Sequence, residues 1–250
     1  MPAGPGARRR AFTRLELAVV LATLALLACL AFPGLANGKP RSERVICVNN
    51  LRQIGQGFQM WATDHGGLPP CRDYARQMAP GIYDPDGGTR GHPLDSQVWF
   101  QFSWVSNQLG SPKILACPAD PLVRPAQDWS ANANMGFMHP ALRSEAISFF
   151  LGLHALDDYP RSILAGDRNL SVTSIGGTCW SGIRNPQTIN PSFPTLAWVN
   201  DIHGPSGNLL LTSGVVLQLA TPALRPALIE AGPPEGVLHF LFPRPPYLAQ

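Results

Sequence analysis

"RRRAFTRLELAVVLATLALLACLAFPG", residues 8 to 34, opens with three arginines and becomes an almost unbroken apolar run with one carboxylate, Glu16, at its mouth. From Leu15 to Leu35 the only polar side chains are Glu16 and Thr23, and these 21 residues would rise about 30 Å as a helix, the thickness of a hydrocarbon core. The run therefore reads as one membrane crossing. Arg8, Arg9 and Arg10 hold the short N-terminus in the cytoplasm, which puts everything after residue 36 on the outer side. Pro33 lies near the far end, where it kinks or ends the helix. The competing reading is a secretory signal with Gly34-Leu35-Ala36 as its small-x-small cleavage site, which would release a soluble envelope binding protein after Ala36. A charge at mid-membrane costs on the order of 3 kcal/mol, and less near the edge, so Glu16 calls for a partner.

Beyond this run the composition narrows the choices. Glycine (24) and proline (26) are abundant in the 250 residues, which favours short elements and many turns over a long helical bundle. The formal charge of +3 is accounted for by the three leader arginines, leaving no basic surplus to neutralise phosphates. No nucleic-acid partner is expected.

Ala11-Phe12-Thr13 followed by Leu15-Glu16-Leu17 resembles the prepilin N-terminal cleavage and methylation motif of type IV pilins and type II secretion pseudopilins. The resemblance implies that Ala11 ends a leader, that a membrane peptidase on the cytoplasmic side exposes Phe12, and that the new Phe12 amine is methylated. It also implies that Glu16, four positions on, pairs with the amine of a neighbouring subunit. Such pairing offsets burial of the acid and sets the stagger between helices. Ala11 stands where the family usually has glycine, and Arg14 where it usually has an apolar residue. Arg14 can snorkel to the interface.

After Asn37-Gly38-Lys39-Pro40, read as a hinge, Cys47, Leu51, Ile54, Phe58 and Trp61 fall at offsets 0, 4, 7, 11 and 14, one apolar stripe down a helix. Ser42 can cap that helix and Gly66-Gly67 stop it. The expected organisation is a leader at 1–11, a transmembrane helix at 12–36, a hinge and exposed amphipathic helix at 37–65, and an α+β globular domain at 66–250. "CVNNLRQIGQGFQMWATDHGGLPP", "LACPAD" (115–120), "SFFLGLHALDDYPRSILAGDRNL" (148–170) and "WVNDIHGPSGNLLLTSGVVLQL" (198–219) are similar, in the same order, to a group of G-type pseudopilin-like proteins. The implied fold is pilin-like: a long N-terminal helix packed on a small antiparallel sheet. The last piece resembles a His-x9-Asp-Gly hairpin, with His203 in place and Ser213-Gly214 where the group has Asp-Gly.

Strands are expected at Val98 to Trp104, Ile147 to Leu153, Ser162 to Ala165, Thr195 to Val199, Leu209 to Thr212, Val215 to Leu219 and 236–243, with a short helix around Ala223 to Glu230 and an irregular tail. Cys29 is an apolar filler of the membrane segment. Cys47, Cys71, Cys117 and Cys179 are candidate disulfide partners in an oxidising compartment, with three pairings open if all four pair. No two cysteines have zinc-ligand spacing, and Asp84 and Asp86 lack the later acid of a calcium loop, so no metal or cofactor is expected. Asp201, His203 and Ser213 supply hydrolase residue types without a nucleophile elbow; Asp201 and His203 read as turn caps, and Asp167-Arg168-Asn169 as a turn with a surface ion pair. No catalytic residue is assigned. The expected product is a structural, single-pass inner-membrane protein with its C-terminal domain in the periplasm. The resemblance implies as partners other pseudopilin subunits, the prepilin peptidase, an inner-membrane assembly platform and the membrane.

Overall fold

The computed structural model describes residues 13–36, 38–71, 96–133, 135–155, 159–172, 174–175, 186–192, 196–232, 237–243 and 247–248. Ala11, Phe12, Asp84, Asp86 and Cys179 lie outside the described residues, as does the side chain of Cys29. The chain divides into two compact units, Met1–Ser42 and Glu43–Gln250.

The first unit carries helix α1, Arg14–Ala36. Thr13 and Glu16 form a reciprocal cap at its start: the Glu16 amide donates to Thr13 Oγ1 at 3.2 Å, and Glu16 Oε2 accepts from the Thr13 amide at 2.8 Å and hydroxyl at 2.9 Å. This is the capping box written by Thr-x-x-Glu, and it satisfies donors that a helix start leaves open. The described side chains of α1 are those of Arg14 to Leu27, and all are exposed. Among the described residues no helix is long and apolar enough to cross a membrane. Helix α2 spans Gly38–Asp64, so the expected hinge is helical from Gly38 through Pro40 and Ser42 lies inside the helix instead of capping it. Its end falls where expected, before Gly66 and Gly67 at φ 66° and 83°.

The second unit is α+β. Short helices α3 (Val98–Trp104) and α4 (Ser106–Leu109) precede the strands β1 (Phe149–Gly152), β2 (Ile163–Asp167), β3 (Ser171–Val172), β4 (Ser174–Ile175), β5 (Gln187–Ile189), β6 (Ser206–Leu211) and β7 (Val216–Ala220). Helix α5 (Thr221–Ala231), β8 (Leu238–Leu241) and β9 (Tyr247–Leu248) close the chain. Seven strands form one sheet in the order β4-β5-β8-β1-β2-β6-β7, every neighbouring pair antiparallel. β3 and β9 pair in parallel as a separate ribbon, giving strand to a tail expected to be irregular.

Side-chain alternation along the central strands sorts the core into two layers. Phe149, Leu151, Leu210 and Leu241 pack in one layer with Cys47, Leu51, Ile54, Phe58 and Trp61 of α2. Phe150, Leu209, Leu211 and Phe240 pack in the other with Leu224 and Leu228 of α5. Gln59 Nε2 adds a hydrogen bond from α2 to the Thr212 carbonyl at 2.9 Å.

Two expected strands are corrected. Val98 to Trp104 is helical, because a helix turns Val98, Trp99 and Phe102 inward together, with Phe102 edge-on to Phe58 at 5.9 Å. Packing overrides the β preference of an aromatic run. Within Thr195 to Val199, the described part forms a single bridge, Trp198 to Leu170. Trp198 lies against Gly207 of β6, where an added Cβ would come within 2.6 Å of the indole. Gly207→Ala should therefore destabilise the domain by about 1–3 kcal/mol through overpacking, read as a lower urea midpoint at unchanged slope.

Candidate functional site

Four residues that the sequence reading left to turns, Asp167, Arg168, Asp201 and His203, meet at the end of the sheet where β2 finishes and β6 begins, beneath the first turns of α2 that belong to the second unit. Asp167-Arg168-Asn169 is not a surface turn: the three residues are 0%, 4% and 0% exposed. Asp120, from "LACPAD", is brought to them by a chain reversal held by a hydrogen bond from its amide to the Cys117 carbonyl at 3.0 Å.

The Arg168 guanidinium grips Asp120 with two bonds, Nε to Oδ2 at 2.8 Å and Nη2 to Oδ1 at 2.6 Å, and its Nη1 lies 3.5 Å from Asp201 Oδ2. Burial works against an ionised Asp120, but the Arg168 hydrogen bonds and charge outweigh it and hold the carboxyl below the usual range. Asp167 lacks such a partner. Its Oδ2 accepts from the Asn208 amide at 2.8 Å and side-chain nitrogen at 2.9 Å, while Oδ1, fully enclosed, has no hydrogen-bond partner among the described residues. Burial, only partly countered by Asn208, pushes Asp167 up to about 7.

His203 sits against this carboxylate, with Nε2 at 3.8 Å from Asp167 Oδ2 and 3.4 Å from Cys117 Sγ. Cys117 is joined to Cys47 of α2 by a disulfide whose Cα atoms are 5.1 Å apart. Arg44, one turn before Cys47, donates to the His203 carbonyl at 3.0 Å and to Ser206 Oγ. Burial and the Arg44 charge lower His203 to about 4. His203 is thus a neutral imidazole between a disulfide and a buried acid, not the turn cap its sequence setting suggested. Cys71 is fully buried.

Ser213 is not part of this arrangement. It is exposed in the β6–β7 turn, beside Gly214 at φ 82°, with all of β6 between it and His203. Six residues of strand separate them by about 20 Å, too far for a nucleophile and its base. Arg44 and Asp120 are the participants that sequence reasoning missed. Arg44 lies one turn before Cys47 on α2, and Asp120 within the quoted "LACPAD" piece.

The chain is similar to the type II secretion system core protein G of Pectobacterium carotovorum subsp. carotovorum, 30% identical over 98 residues that make up 36% of this chain and 63% of that protein. It therefore spans less than two thirds of that relative's length. No family model matches the chain. No solved structure matches it.

The two perturbed groups give opposite pH dependences. His203, ordinarily at 6.5, is depressed to about 4, so between those values the unfolded chain binds a proton that the folded chain does not, and stability rises with pH. Asp167, ordinarily at 3.8, is raised to about 7, so across its window the folded chain holds the extra proton and stability falls as pH rises. Where the windows overlap the two contributions cancel. Asp167→Asn keeps an acceptor for Asn208 but removes one side of the balance. Its stability relative to the native chain should climb from about pH 4 to about pH 7 by up to roughly 1.4 kcal/mol per pH unit, measured by urea unfolding across that range.

Proposed function

We propose that the protein is a structural pseudopilin-like subunit of a type II secretion-type fibre. Prepilin peptidase cleaves between Ala11 and Phe12, the Phe12 amine is methylated, and the Leu15–Leu35 run anchors the subunit in the inner membrane with its C-terminal domain in the periplasm. The anchored helix then joins other pseudopilin subunits on an inner-membrane platform. Its work is mechanical and architectural, not catalytic.

The observation that carries this reading is the similarity to type II secretion core protein G. An α+β domain in which the striped helix α2 shares a core layer with an antiparallel sheet agrees with it. So does the leader sequence, with Glu16 in the first turn of α1. In an assembled fibre the Phe12 amine of one subunit meets Glu16 of the next. Both Thr13 bonds go to Oε2 of that carboxylate, which leaves its second oxygen for an ammonium.

Intact-mass analysis of the protein from its native membrane tests the processing. A chain starting at Phe12 with one added methyl is expected; a start at Asn37 would mean release into the envelope, and retention of Arg8 to Arg10 an uncleaved anchor, and either overturns the reading.

Glu16→Gln tests the assembly step, because glutamine still closes a capping box but carries no charge. Cross-linked oligomers extracted from cells should fall about tenfold, corresponding to roughly 1–2 kcal/mol per contact. Oligomers at native levels in Glu16→Gln but lost in Glu16→Ala would assign Glu16 to capping alone.

A further inference from the structure

The disulfide, the imidazole and the buried acid form a cluster that the fibre role does not use. One ligand atom from each of Cys47, Cys117 and His203 lies within 4.8 Å of the others. Asp167 brings a carboxylate whose Oδ2 is 3.8 Å from His203 Nε2 and whose buried Oδ1 has no partner among the described residues. The two sulfurs and the imidazole nitrogen supply three donors of a tetrahedral site for a soft divalent cation, whose fourth position a water can fill. The site was invisible in the spacing, since its ligands come from positions 47, 117 and 203 on three separate parts of the chain.

We propose that Cys47, Cys117 and His203, with a water at the fourth position, form a zinc site in the dithiol state of the chain. The same junction between α2 and the sheet is then closed in one of two ways: by a disulfide when oxidised, or by a metal ion when reduced. The exchange balances as follows. A dithiol reductant passes two electrons to the S–S bond, which breaks. The reductant closes its own disulfide, and two protons end on the Cys47 and Cys117 sulfurs. Zn²⁺ displaces those protons to solvent and forms two Zn–S bonds, while His203 contributes a neutral nitrogen lone pair. With Zn–S bonds of about 2.3 Å the two sulfurs of a tetrahedral site stand roughly 3.7 Å apart. The charge of the two thiolates is offset by the dication.

The site stands whether or not the chain is a fibre subunit, and its test is separate. The full chain in detergent is reduced with a dithiol, desalted without oxygen and titrated with Co²⁺, then with Zn²⁺. One Co²⁺ per chain should bind, with the intense visible bands of tetrahedral cobalt and a thiolate-to-cobalt charge-transfer band that Zn²⁺ bleaches. The oxidised chain should show neither. Cys47→Ser or Cys117→Ser should abolish the charge-transfer band. Cys71→Ser combined with Cys179→Ser should keep it. His203→Ala should weaken binding at least tenfold, a loss that even an outer-shell partner can cause. Should reduction loosen the fold, Zn²⁺ should restore a cooperative melt at a higher Tm. Absence of stoichiometric cobalt in the reduced chain, equal binding by the oxidised chain, unchanged affinity in His203→Ala, or no zinc-dependent rise in Tm would each overturn the proposal.

Discussion

The link between Cys47 and Cys117 is the constraint around which the second unit is organised. It joins residues 70 apart in sequence, and closing a loop of that length in the unfolded chain is worth about 4 kcal/mol in the entropic account. Position matters as much as entropy here. Cys117 is followed at once by the reversal that delivers Asp120, and Cys47 is preceded by Arg44, so one covalent bond sets both the acid and the base of the buried polar cluster. Asn50 strengthens the same junction by donating to the Ala116 carbonyl at 2.9 Å.

Within that cluster, packing and electrostatics divide the work. The Asp120–Arg168 pair is almost fully enclosed, and burying two charges offsets most of what their attraction supplies. Its bidentate geometry therefore fixes where the end of β2 lies relative to "LACPAD" more than it adds net stability. Asp167, one residue before Arg168, points to the other side and finds only Asn208. Alternation along the strand end thus separates a satisfied ion pair from an unsatisfied acid, and the unsatisfied acid is the one that faces His203.

Much of the fold was legible because one face, and only one, decides each element. The α2 stripe from Cys47 to Trp61 is buried as read, and "SFFLG" and "NLLL" alternate between the two core layers as strands of a two-faced sheet must. The Ser213-Gly214 turn and the helix through Pro226 also follow local chemistry. What escaped was set by distant partners. Phe100, Phe102 and Trp104 alternate like a strand, yet the helix wins because Trp61 and Phe58 offer edge-on partners at 5.9 Å to Trp104 and Phe102. Asp167-Arg168-Asn169 looked solvated because its own acid and base sufficed for a surface ion pair; the actual counter-ion of Arg168 is 48 residues away. The capping box of Thr13 and Glu16 also went unread, although it reflects local chemistry alone.

That cap changes how Glu16 must be understood on the proposed reading. A carboxylate near the edge of a bilayer costs less than one at the mid-plane, and hydrogen bonds to the charged form favour it. On that reading, two bonds from Thr13 already partner the acid in a subunit that has no neighbour yet. Assembly would then exchange one satisfied state for another instead of rescuing a stranded charge. The driving force per contact would then be modest, and cohesion of the proposed fibre would come from many helices packing along its length. A modest, directional contact is suited to setting register, because a misaligned helix forfeits the ammonium while keeping its own cap, and so can leave and try again.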